Sequence, residues 1–152
     1  MDKNNNYMSV EFDSISDNES FARVVVASFV ARMNPTLTEI ADIKTAVSEA
    51  VTNSIIHGYE SGSGKIIIET HIVDDTVTII VKDHGVGIEN IERAMEPMYT
   101  SKPELERSGM GFAFMEAFMD ELFVESKPAS GTVVTMRKVI GKNIEEWDNE
   151  LN

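Results

Sequence analysis

The sequence predicts an α+β domain, and three observations carry that reading. Two pairs of β-branched, alternating segments, 65–73 with 76–81 and 123–126 with 132–139, are each joined by turn-forming residues, as in antiparallel hairpins. Two segments with helical periodicity each follow the spacing of a capping box. A third, from Ala113 to Leu122, is apolar nearly all round, the pattern of a helix buried between layers.

Taken in order, Tyr7 to Phe12 alternates, with Met8, Val10 and Phe12 on one side, and reads as a first strand. Ser16-Asp17-Asn18-Glu19 is the first capping box. The helix after it, Phe21 to Met33, has Phe21, Val25 and Phe29 in register and ends at Asn34-Pro35. Thr36-Leu37-Thr38-Glu39 opens the longest periodic segment, which runs to about His57 and stops at Gly58. Its core stripe is Ile40, Ile43, Val47, Ala50 and Val51. Glu49 and Asn53 are four apart, so they stack on one side of the helix at the margin of that stripe. Such a pair is either solvated or directed into a cleft between helix and sheet. His57, at the negative end of the helix dipole, is assigned no chemistry.

The loop Ser61-Gly62-Ser63-Gly64 leads into the first hairpin, turned at Asp74-Asp75, which delivers the chain to Lys82-Asp83-His84-Gly85-Val86-Gly87-Ile88. Asp83 at a strand end can accept a hydrogen bond from an exocyclic amine, and Gly85 and Gly87 can let a flat ligand approach the backbone. The competing reading makes Asp83 the cap of a short helix over Glu89 to Met95 and the glycines a simple corner. From Glu96 to Ser108 two prolines and no clear period give a long irregular segment, either a functional loop or a surface excursion. Gly109-Met110-Gly111-Phe112 then opens the apolar helix. Free N–H groups and bare glycines there suit phosphate oxygens, although tight packing would also ask for glycine. The second hairpin turns at Pro128-Ala129-Ser130-Gly131.

At 152 residues the expectation is one domain over 1–141 and an acidic tail over 142–152, anchored by Trp147 alone. A net charge of −13 repels phosphate backbones and anionic lipid, which disfavours nucleic acid and membrane as partners and favours a basic protein surface. There is no cysteine, hence no disulfide and no thiol chemistry. The polar start, without a signal-peptide core or a membrane-length run, makes a cytoplasmic location the expectation.

An E-x-x-x-N helix, a strand ending in D-x-G-x-G, a lid-like loop and G-x-G-F opening a buried helix, in that order, resemble the GHKL ATPase and kinase superfamily. Within it the chain looks most like the small anti-sigma serine kinases of sporulation. The resemblance covers roughly Thr36 to Val139, and it is closest at Glu-Ala-Val-Thr-Asn-Ser-Ile-Ile-His-Gly-Tyr over 49–59, at Tyr-Thr-Ser-Lys-Pro and at Gly-Met-Gly-Phe. It implies the Bergerat ATP-binding fold, a two-layer sandwich whose mixed, mainly antiparallel sheet is covered by helices on one face.

The same resemblance implies roles. Asp83 takes the adenine amino group, helped by a water held by Gly87 and Thr135, with Gly85 beside it. Asn53 completes the shell of a magnesium ion on ATP. Glu49 is the general base for a protein serine. Gly109 and Gly111 cradle the phosphates, Arg107 rather than Lys102 reaches the γ-phosphate, and Thr100, Ser101, Ser108 and Met110 join the nucleotide-binding set. Arg23 meets a protein partner, or is an ordinary exposed helix arginine. The partners implied are a sigma factor of RNA polymerase, an anti-anti-sigma protein carrying the phosphoacceptor serine, and a second copy in a homodimer. The rival of a different class is a nucleotide-switched, sigma-binding module without phosphotransfer, and behind it an acidic interaction protein with no nucleotide. A sensor histidine kinase lacks its phosphoaccepting hairpin here, and a gyrase-type ATPase its transducing domain.

Overall fold

In the computed structural model, residues 5–96 and 111–141 are described. The chain runs β1 (Asn6–Asp13), α1 (Asp17–Val30), α2 (Leu37–Asn53), β2 (Lys65–Val73), β3 (Thr76–Asp83), α3 (Ile91–Ala94), α4 (Gly111–Phe118), β4 (Glu121–Lys127) and β5 (Gly131–Val139). The strands form one sheet in the order β1-β2-β3-β5-β4, and each pairing is antiparallel, simpler than the mixed sheet expected. Asp13 opposite Lys65 shows why β1 and β2 can be neighbours although two helices separate them. The excursion through α1 and α2 leaves and re-enters at the same end of the sheet.

Strand periodicity sorts the two sheet faces. Ile66, Ile68 and Ile72 of β2, Val77, Ile79 and Val81 of β3, and Val134 and Met136 of β5 are buried under the helices. Their alternate neighbours, among them Glu69, Ile80, Lys82 and Thr135, line the opposite face. On α2, Ile43, Ala46, Val47, Ala50 and Val51 face the sheet as the periodicity predicts, and Ile40 is only partly buried. On α1 the buried row is Ala22, Val26 and Val30, one residue on from the expected Phe21, Val25 and Phe29. The two rows are adjacent on a broadly apolar helix, so periodicity alone could not choose between them. One result is that Phe21 and Val24 are exposed.

The caps divide in the same way. Thr36 and Glu39 make both bonds of a capping box, Glu39 N to Thr36 Oγ1 at 3.0 Å and Thr36 N to Glu39 Oε1 at 2.9 Å. Glu39 is buried because its other oxygen accepts the Gly141 amide at 2.8 Å, tying the start of α2 to the end of β5. At Ser16 no side-chain cap bond forms, since that residue is already in helical conformation.

The second half of the chain also departs from expectation. α4 ends at Phe118, and Leu122 belongs to β4, whose strand pairing begins at Glu121. Phe112, Met115 and Met119 are buried, whereas Phe114 and Phe118 stack on each other, part-exposed, with centroids 5.8 Å apart. Among the described residues no helix is long and apolar enough to cross a membrane.

Candidate functional site

The end of α2 is not α-helical. Ser54 to Gly58 forms a π turn, with the Tyr59 amide bonded to the Ser54 carbonyl at 2.8 Å. Inserted π turns are frequent at functional sites because one widened turn re-aims the side chains around it. Here the turn puts the Ser54 hydroxyl 2.8 Å from Asp83 Oδ2 and brings Gly58 against the same carboxylate. Gly58 is therefore bare to make room for Asp83, and not as a left-handed helix stop. A Cβ on it would meet Asp83 Oδ2 at 2.9 Å.

Asp83 is the last residue of β3 and is 3% exposed. Its Oδ1 accepts the amides of Gly85 at 3.0 Å and Thr132 at 3.3 Å, and its Oδ2 accepts from Ser54. A carboxylate has about four lone-pair positions, so three donors leave one on Oδ2 for an amine N–H. The capping alternative fails, because the short helix α3 is capped by Asn90, which accepts the Arg93 amide at 3.0 Å.

The glycines after Asp83 serve the protein itself more than an approaching ligand. A Cβ on Gly85 would stand 2.0 Å from the Gly58 carbonyl oxygen, and one on Gly87, at φ +78°, would stand 2.1 Å from the Lys127 carbonyl oxygen. These contacts, with Val86 N on Gly58 O at 2.8 Å and Ala129 N on Val86 O at 2.7 Å, fasten the loop between the end of α2 and the β4–β5 turn.

Thr135 is not at this site. Asp83 is opposite Thr132 in the sheet register, while Thr135 is opposite Ile80 and lies on the uncovered face. An odd separation of three along a strand reverses the side chain, and that parity was available from the sequence. The threonine beside Asp83 is Thr132, buried and with its Oγ1 2.8 Å from Ser126 Oγ. Sequence reasoning missed Thr132, Ser126 and Ser54. Ser54 is signalled only by its place next to Asn53.

Glu49 and Asn53 are both half-buried on α2, which fits the cleft-facing reading better than full solvation. Since Ser54 touches Asp83, Asn53, the residue before it, stands near that carboxylate. α4 packs along α2. Its last carbonyl, Phe118 O, accepts from the buried Lys138 at 2.7 Å, and Lys138 Nζ is 3.8 Å from Asp42 Oδ2 on α2. This fixes the C-terminal end of α4 beside the first half of α2. With α4 about 11 Å long and Asp42 about 16 Å from Asn53 along α2, Gly111 is directed toward the half of α2 carrying Glu49 and Asn53. Among the described residues no group of three or more acids or histidines could hold a metal ion. Asn53, the ligand the sequence singled out, offers a single neutral oxygen. Arg23 lies on α1, where its guanidinium donates to Ser20 Oγ at 3.2 Å. Thr100, Ser101, Lys102, Arg107, Ser108, Gly109, Met110 and the tail from 142, with Trp147, lie outside the described residues.

Residues 16–138 match the histidine kinase-like ATPase domain. Over 134 residues the chain is 62% identical to the anti-sigma F factor of Clostridium kluyveri, covering 88% of this chain and 94% of that protein. The chain belongs to the anti-sigma F factor family of histidine kinase-like ATPase domains. A further anti-sigma F factor, from Caldanaerobacter subterraneus subsp. tengcongensis, is 59% identical over 139 residues, covering 91% of this chain and 97% of that one. Among solved structures, the RsbU and RsbW domains of Rv1364c from Mycobacterium tuberculosis superpose with a TM-score of 0.64 at 22% identity, over 89% of this chain and 32% of that longer one. The catalytic domain of the histidine kinase ThkA superposes at 0.53 and 19% identity, over 88% of this chain and 97% of that domain. These two likenesses show the fold alone, the sandwich of sheet and helices expected from the motifs.

Proposed function

We propose that this chain is an anti-sigma factor and an ATP-dependent protein serine kinase. It binds and inhibits a sporulation sigma factor and transfers phosphate from ATP to a serine of an anti-anti-sigma protein. The observation that carries the nucleotide part is the buried Asp83 carboxylate, with three donors bound and one acceptor position left, joined through Ser54 to the helix of Glu49 and Asn53. The names of the relatives, anti-sigma F factors, support the sigma part, and the match to a histidine kinase-like ATPase domain supports the use of ATP.

In this reading Asp83 holds the adenine amine, with Thr132 beside it, and Gly111 presents helix amides to the phosphates. Asn53 would hold a magnesium ion, which would supply positive charge against the phosphates. Glu49 accepts the serine hydroxyl proton. The acidic chain, at −13, suits a basic partner surface.

The deciding experiment incubates the protein with magnesium, labelled ATP and a cell extract. Label on serine of one small protein is expected. No labelled protein, with nucleotide binding retained, overturns phosphotransfer and leaves the sigma-binding switch. No rise in melting temperature with Mg-ATP overturns the nucleotide site itself.

A homodimer is part of the proposal. The exposed Phe21 and Val24, and a groove of about 390 Å³ lined by Met8, Val24, Val25, Ser28, Phe29 and Arg32, support the α1–β1 edge as the contact. Val24→Asp is expected to convert a dimer to a monomer in sedimentation equilibrium, and an unchanged mass rejects this contact.

A further inference from the structure

Strands β2 and β3 pair in register up to Ile66 opposite Asp83, so the next rung would join Lys65 to His84. That rung is not made directly. The hydroxyl of Tyr59 stands in its place, accepting the His84 amide at 2.8 Å and donating to the Lys65 carbonyl. The two strands therefore part around a tyrosine hydroxyl one residue beyond the carboxylate that faces the purine. Tyr59 is itself set by the π turn at the end of α2, and its ring covers Gly64, where a Cβ would meet the ring at 2.4 Å. Lys65 is held from its other side by the ion pair with Asp13. That partner keeps the exposed Lys65 ammonium above its ordinary pKa.

Four amides of the loop after Asp83 are each held by a different group. His84 N goes to Tyr59, Gly85 N to Asp83, Val86 N to Gly58 O, and Ile88 N to Ser126 Oγ at 2.7 Å. Two of these anchors, Tyr59 and Ser126, are side chains that can be shortened by a substitution, and Ser126 Oγ also donates to the Gly131 carbonyl at 3.0 Å.

We infer that Tyr59 is a positioning residue that sets the preference of the site for a 6-amino purine over a 6-oxo purine. This rests on the reading of Asp83 as the purine acceptor. Without the hydroxyl, the His84 amide and the Lys65 carbonyl lose their shared partner, and the Asp83–Gly85 segment is freed to move against Ser54. An amine donating to the last acceptor position on Asp83 feels that shift. A 6-oxo group, which accepts and cannot donate, does not.

The test measures dissociation constants for ATP and ITP, with magnesium, on the natural protein and on Tyr59→Phe, which keeps the ring over Gly64. The natural protein is expected to prefer ATP. In Tyr59→Phe the ATP affinity should fall about fivefold, the loss of one ordinary hydrogen bond, while ITP changes less than twofold. Ser126→Ala gives a second measurement from the other side of the loop and should also narrow the ratio. An unchanged ratio in Tyr59→Phe, or an equal loss for both nucleotides as general loosening would give, overturns the inference alone. If the natural protein binds neither nucleotide, the purine reading fails and this inference with it.

Discussion

Asp83→Asn is expected to lower adenine nucleotide affinity by roughly two to three orders of magnitude, the scale of a lost charge-assisted bond plus a donor opposing a donor. The geometry says how. Oδ1 accepts two backbone amides, which cannot reverse, so the asparagine keeps its oxygen there. The new –NH2 then takes the place of Oδ2, where the Ser54 hydroxyl can rotate and accept from it. Its second hydrogen occupies the acceptor position left for the purine. An incoming amine would meet a donor, while the folded protein loses little. Calorimetry with ADP checks the first half, and thermal unfolding of the free protein checks the second. Unchanged ADP affinity would remove Asp83 from the site, whereas a collapse of the free protein would show that the carboxylate is structural.

Most of the fold was legible because the periodicities were strong. β2 and β3 alternate cleanly, and the Asp74 turn, at φ +54°, separates them where the sequence places it. What failed was the choice between equivalent rows. On α1 both Phe21-Val25-Phe29 and Ala22-Val26-Val30 are helical stripes, and only the sheet beneath decides which is buried. The π turn was invisible because its i to i+5 bond has no residue signature, and the strand-to-strand bridge by Tyr59 follows from it. Thr135 failed for another reason. Its role came from a resemblance, and the pairing of Asp83 with Thr132 shows that the residue next along the same face is a different threonine. Of the two glycines after Asp83, Gly87 has the positive φ expected of it, and Gly58 and Gly85 are bare also because each meets its neighbour's backbone or carboxylate, which the sequence did not signal.

Glu49→Gln is expected to leave ATP affinity within about twofold and to cut serine phosphorylation by roughly 10²- to 10⁴-fold, the usual share of a positioned general base. Glu49 is half-buried one turn before Asn53, so in the proposed reading it would stand beside the phosphates and away from a purine at Asp83. Glutamine matches its shape and can accept a hydrogen bond from the serine hydroxyl, but it cannot take the proton as that oxygen attacks phosphorus. Binding and chemistry should therefore separate. Single-turnover transfer of labelled phosphate to the serine-bearing partner reads the chemistry, and calorimetry with a non-hydrolysable ATP analogue reads the binding. Sigma-factor binding in the presence of ATP should persist in the variant, because nothing at the purine or on α1 has changed. If phosphorylation is undiminished, the base lies elsewhere and Glu49 is a helix residue at a cleft margin. If ATP affinity falls with the rate, Glu49 supports the nucleotide and not the proton transfer, and the separation of roles along α2 fails.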